Sequence, residues 1–171
     1  MTINILTIFP NFFTEFFNNG IIKRAVEKGL LKINIINLRD FTNDKHKTVD
    51  DYSFGGGPGM VLKPGPLFKA LENFKDKSKI IYPSPQGEIL HHNISLGLSK
   101  EKNLTFICGH YEGIDERVID KFVDVEISIG DYILSGGELP TAVIVDSILR
   151  LVPGILNNEL SYEEDSFFSN L

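Results

Sequence analysis

The sequence predicts an α/β fold with a mainly parallel sheet flanked by helices. Three observations predict it. Short apolar runs rich in Ile and Val alternate along the chain with stretches of helical period. Proline or glycine punctuates most of those runs. Three runs, ending at Tyr82, Cys108 and Ile129, are each followed by a glycine- or proline-rich loop. In a parallel sheet such loops converge on one edge, where open α/β sheets bind ligands.

Taken in order, Thr2 to Phe9 is a first buried strand, rich in isoleucine and ended by Pro10. Phe12, Phe13, Phe16 and Phe17 lay one apolar stripe on a helix over Asn11 to Asn19, a face for core packing. Gly20 to Gly29 reads as a second helix, with Lys23 and Arg24 on its polar side, and Leu31 to Leu38 as a second strand. Arg39 to Ser53 is polar and charged, an exposed and mobile loop. Phe54 to Met60, FGGGPGM, fits neither the G-x-G-x-x-G frame nor a P-loop. Its backbone either hugs a ligand or simply turns tightly, and the sequence weighs the two evenly.

Pro64 to Phe74 is a helix with proline in its first turn. Lys79 to Tyr82 is a short buried strand running into the rigid turn Pro83-Ser84-Pro85-Gln86-Gly87, and Gly87 to Leu98 is the next helix. Leu104 to Cys108 is a strand that delivers Gly109-His110-Tyr111-Glu112-Gly113. A short helix over Ile114 to Lys121 and a strand over Val123 to Ile129 follow. Leu139 to Leu151 carries the clearest helical face, with Pro140 near its start, Arg150 in its last turn and Pro153-Gly154 beyond it. Asn157 to Leu171 is acidic and without period, a linker or tail.

Composition narrows the function. The chain has 171 residues, 42% hydrophobic and 23% charged, as expected of one soluble globular domain. No apolar run reaches membrane-spanning length. The first residues lack a secretory signal pattern, so the cytoplasm is the expected location. Net charge is −6, but residues 1–47 carry a local balance of +3. Lys45-His46-Lys47 is either a phosphate-facing patch or a solvated loop. The single cysteine, Cys108, excludes an internal disulfide and suits buried packing better than nucleophilic chemistry. His91-His92 has no companion ligands at metal spacing, and no G-x-S-x-G elbow is present. Group transfer onto a bound acceptor, assisted by a carboxylate and an arginine, stays open.

The segments RDF, TVDD, GGGPGM, SPQG, CG-YEGIDERV, SIGDY-LSGGELP, R--PG and EEDSF occur in that order. Over nearly the whole chain, from Ile8-Phe9-Pro10 to Asp165-Ser166-Phe167, this pattern resembles the bacterial tRNA (guanosine-37-N1)-methyltransferase family of the SPOUT class. The resemblance implies a deep trefoil knot in the C-terminal half of the fold and a homodimer. It implies methyl transfer from S-adenosylmethionine to N1 of guanosine 37 in the anticodon stem-loop of tRNA. It places Tyr82, Ser84, Pro85 and Gln86 on one wall of the donor pocket, and Gly109, Tyr111, Glu112 and Gly113 on a second. Ile129, Gly130, Tyr132, Leu134, Gly136, Gly137 and Pro140 form the third.

The same resemblance makes Asp165 the general base for the guanine N1 proton and Arg150 the cation that stabilises charge on O6. Glu112 would face the cationic donor or help place Mg2+. Residues 1–156 would be the donor-binding catalytic domain, and 157–171 a flexible linker that carries Asp165 to the partner subunit's pocket. Family members usually continue into a small helical C-terminal domain, and this chain is expected to be the catalytic part without it. Two departures fall in the pocket loops: His110, where arginine is common, and Pro83, where an apolar residue such as leucine is common. Three other readings compete: a tRNA-binding module without catalysis, a SPOUT methyltransferase for another RNA base, and a nucleotide-dependent doubly wound enzyme.

Overall fold

The computed structural model describes residues 1–52 and 59–156. In chain order the elements are β1 (Thr2–Thr7), α1 (Phe12–Phe17), α2 (Gly20–Glu27), β2 (Lys32–Asn37), β3 (Asp50–Tyr52), β4 (Met60–Leu62), α3 (Pro64–Leu71), β5 (Lys79–Ile89), α4 (His92–Ser99), β6 (Asn103–Ile107), α5 (Glu116–Phe122), β7 (Val125–Ser128) and α6 (Glu138–Leu149). A 3-10 helix, Leu38–Phe41, follows β2. Five strands form one sheet in the order β2-β1-β6-β5-β7, every pair parallel, and β3 and β4 make a separate antiparallel pair. The expected α/β class, with a mainly parallel sheet flanked by helices, is what the chain adopts.

Strand alternation divides the core between the two faces. Ile3 and Ile5 of β1 and Leu104 and Phe106 of β6 meet Phe13, Phe17, Ile22, Ile144 and Ile148 on one side. Leu6, Ile80 and Ile107 meet Leu38, Leu67, Leu71, Val118 and Phe122 on the other. Of the four α1 phenylalanines, Phe13 and Phe17 are buried and stack at 5.5 Å, while Phe12 stays 42% exposed. The polar residues inside the sheet are paired: Asn4 Nδ2 donates to Thr105 Oγ1 at 3.2 Å, and Asn34 Nδ2 donates to Asn4 Oδ1 at 2.7 Å.

Three sequence expectations are corrected. The rigid turn after Tyr82 does not end the strand, because β5 runs on to Ile89. Pro83 and Glu88 both pair with Ile127, so Ser84 to Gly87 are looped out; pairing resumes at Glu88 and continues with Ile89 against Ser128. Gly87 permits the return, since a Cβ there would strike the Glu126–Ile127 backbone. The helix expected from Gly87 therefore starts at His92. Glu88 and Ile89 are too few to declare a period, and pairing with β7 decides for strand. Finally, Arg39 to Tyr52 carries local order rather than being loop throughout. Asn37 accepts from the Arg39 N–H at 3.1 Å, Asp44 accepts from the Thr48 hydroxyl at 2.8 Å, and Asp50–Tyr52 pairs with β4.

The loops after β5, β6 and β7 share the carboxyl edge of the sheet because β7 lies beyond β5 and β6 lies before it. There the loop after β7 presses onto the loop after β6. The Gly137 N–H donates to the Gly109 carbonyl at 2.8 Å, and His110 and Gly136 form an antiparallel bridge. A Cβ on Gly137 would sit 2.7 Å from Gly109 N and 2.8 Å from Cys108 Cα. Gly137→Ala is expected to cost about 1–3 kcal/mol in urea unfolding, because only backbone stands in the way. Gly97→Ala, in α4 with nothing within 4 Å of the added carbon, is expected to stabilise by about 0.5–1 kcal/mol in the same experiment.

Candidate active site at the carboxyl edge of the sheet

A cleft of about 500 Å³ opens where the three loops meet. Its first wall is the β5 excursion. Tyr82 is 8% exposed and its ring occupies the space where Gly109 has no side chain, with a Cβ there falling 2.9 Å from the phenol oxygen. Burial, with Glu126 and Glu116 nearby, pushes the Tyr82 phenol up to about 12, and a hydrogen bond from the Ile114 backbone opposes this in part. Gln86 N–H donates to Ser84 Oγ at 3.2 Å, holding the excursion folded.

The second wall is the loop after β6. It is braced from below by β4, with Glu112 N–H donating to the Met60 carbonyl at 2.9 Å and Leu62 N–H donating to Gly113 at 3.0 Å. Tyr111 holds φ of 60°, a conformation costly for a residue with a side chain. Burial and a hydrogen bond with Asp50 raise its phenol pKa, which ties this wall to β3. Asp115 caps α5 by accepting from the Arg117 N–H at 3.0 Å, and the Arg117 guanidinium holds its carboxyl below the usual range. The third wall is the loop from Ile129 to Gly137. Tyr132 folds back on it, its hydroxyl donating to the Ile129 carbonyl at 3.2 Å.

Every residue expected on the donor walls, from Tyr82 to Pro140, lines this one cleft. The two expected catalytic residues are not with them. Arg150 is exposed and caps the far end of α6, a helix of 12 residues whose first turn abuts the cleft. Along the axis that is about 18 Å away. Asp165 lies outside the described residues. The structure adds Glu116, Glu126 and Ser128 to the lining. The alternation of β7 contains the signal for Glu126, since Tyr82 and Glu126 are register partners, but nothing in the sequence announces that register.

The chemistry of the lining is one-sided. Glu112, Glu116 and Glu126 line the cleft, and among the described residues no lysine or arginine does. Such a site favours a cation and repels phosphate. Cys108 sits beneath, fully buried, and burial beside Glu138 pushes its thiol well up, so it is inert packing. Among the described residues no group of three or more His, Cys, Asp or Glu is placed to hold a metal. None of their helices is long and apolar enough to cross a membrane.

A parallel α/β sheet with an acid-lined cleft at its carboxyl edge defines the class: an open α/β protein whose sequence carries neither phosphate-binding fingerprint. The chain itself is narrower than that. A family model described as tRNA (Guanine-1)-methyltransferase TrmD matches residues 1–171, and the chain belongs to that family of tRNA-modifying methyltransferases. It is 55% identical over 174 residues to a tRNA (guanine-N(1)-)-methyltransferase of Fervidobacterium nodosum, covering 100% of this chain and 70% of that one. Against the protein of the same name from Clostridioides difficile it is 48% identical over 176 residues, covering 100% and 76%. The crystal structure of tRNA (m1G37) methyltransferase from Aquifex aeolicus superposes with a TM-score of 0.85 at 41% identity, covering 92% of this chain and 72% of that one.

Tyr82 supplies a direct check on the cleft. Folded protein holds this phenolic proton more tightly than the unfolded chain, whose value is near 10.0. Stability is therefore complete below about pH 10 and falls by about 2–3 kcal/mol as pH rises toward 12. In a spectrophotometric titration one of the five tyrosines is expected to ionise last, and Tyr82→Phe to remove that final step.

Proposed function

We propose that this chain transfers the methyl group of S-adenosylmethionine to N1 of guanosine 37 in tRNA. The observation that carries the reading is the gathering of the expected donor residues, from three loops far apart in sequence, into one acid-lined cleft. The volume suits a small-molecule site. The donor bears a sulfonium and an ammonium, so its cationic end matches Glu112, Glu116 and Glu126, whereas ATP or a dinucleotide would bring phosphates to the same carboxylates. Apolar side chains such as Ile129, Leu134 and Pro140 supply the flat walls an adenine needs. Glu112 faces the donor in this reading, and Mg2+ would be held there only with ligands from outside the described residues.

The chemistry needs a base and a cation. Guanine N1 carries a proton and attacks the methyl carbon only as that proton leaves. Asp165 takes it, and Arg150 balances the charge that develops on O6. Attack of N1 on the methyl forms the N–C bond as the C–S bond breaks, leaving a neutral thioether. Residues 1–156 form the donor-binding unit, and 157–171 carry the base. Because Arg150 stands at the far end of α6 from its own cleft, the reading places two chains antiparallel, each α6 delivering Arg150 to its partner's cleft. Leu139 and Val143, 52% and 47% exposed on α6, with Phe9 and Phe12, supply apolar surface for that homodimer. The trefoil knot belongs to the same reading, as does a place in the cytoplasm with tRNA.

Calorimetric titration with S-adenosylmethionine is expected to saturate near one donor per subunit. A folded dimer that binds tRNA but no donor would instead make the chain a tRNA-binding module. Asp165→Ala is expected to lower methyl transfer by about a hundred- to ten-thousandfold while donor Kd stays within about twofold. Equal loss of binding and transfer would make Asp165 a structural residue.

A further inference from the structure

Glu138 opens α6 and is 5% exposed, a carboxylate with almost no contact with water. Burying such a charge costs free energy unless every lone pair finds a donor. Oε1 accepts from the Thr7 hydroxyl at 2.6 Å, and Oε2 accepts from His110 Nε2 at 2.7 Å. Thr7 is free to donate because its oxygen already accepts from the Phe9 N–H at 2.9 Å. A carboxylate only accepts, so His110 carries its proton on Nε2 in this pair.

His110 is in turn held on its other sides. The Phe9 ring meets it edge-on at 4.9 Å. A Cβ on Gly136 would run into its Nε2 and Cε1 atoms, and the two residues are bridged through their backbones. The ring thus fills the seam between the second and third walls of the cleft, and both His110 and Gly136 line that cleft.

We propose that Glu138 is a positioning residue for the donor cleft, acting through His110: its buried carboxylate locks the loop after β6 to the start of α6 and to the end of β1, and so sets the spacing of two donor walls. The ligand side of this inference rests on the donor reading above. It concerns affinity for donor, not the proton transfer from guanine. A residue that merely stabilised the fold would weaken binding only in proportion to the fraction of chain left folded, which urea unfolding of the same variant reads independently. A positioning residue weakens it beyond that proportion.

The full chain with Glu138→Gln is expected to bind S-adenosylmethionine about tenfold or more weakly, because a charge-assisted hydrogen bond is lost at the seam. Stoichiometry and the KM for tRNA are expected to stay unchanged. Donor Kd within twofold of wild type overturns the proposal. Should Glu138→Gln fail to fold, the His110 pair decides: His110→Gln keeps an N–H for Glu138 and is expected to bind near wild type, while His110→Leu is expected to weaken binding by about tenfold. Equal Kd in those two variants overturns it. If wild type itself binds no donor, the donor reading fails, and hydrogen exchange tests the coupling alone. Amide protection in 109–113 and in 134–137 is then expected to fall together in Glu138→Gln, and change in only one loop overturns the proposal.

Discussion

The rest of the structure depends on one close approach, that of the α6 start to the backbone at the end of β6. Gly137 has room for no side chain against Cys108 and Gly109, and its N–H bonds to the Gly109 carbonyl. That contact brings the loop after β7 over the loop after β6. Without it the third wall would not face the other two, and α6 would not bury Ile144, Val145, Ile148 and Leu149 against the sheet. Packing and site geometry thus come from the same contact, which is why glycine is needed there.

The crowding has an electrostatic consequence. Loops packed this tightly offer a ligand mostly main chain and a few side chains, and the charged ones present are carboxylates. Glu126 reaches the cleft from a strand, Glu116 from a helix start and Glu112 from a loop. The Tyr82 phenol stays protonated to unusually high pH chiefly because it is buried, with Glu126 and Glu116 adding to the effect. The three carboxylates are therefore held at the cleft by the fold itself.

Much of this was legible in the order of residues. Ile-rich runs alternating with helical stripes named the sheet class, and the loop glycines after Tyr82, Cys108 and Ile129 named its ligand edge. Buried, bilateral strands and helices write their period into sequence, so local pattern suffices. The β5 excursion was legible only in part. Prolines at 83 and 85 announced a break, but the resumption at Glu88 depends on β7 pairing, which no local pattern encodes. The short strand Asp50–Tyr52 was hidden for a similar reason, since three polar residues become a strand only with β4 beside them.

By itself, the sequence determined the fold class and the family, and it named three loops whose residues the structure gathers around one cleft. Those rest on residue type and on spacing along the chain, which need no coordinates. Only the tertiary structure decided that Glu116 and Glu126 share the cleft, that Glu138 spends both oxygens on distant elements, and that Arg150 stands a helix length from its own pocket. Each of these joins residues through space across strand order and helix direction. Sequence neighbours constrain local dihedrals and periods, whereas register and crossover are settled by the packing of the whole chain.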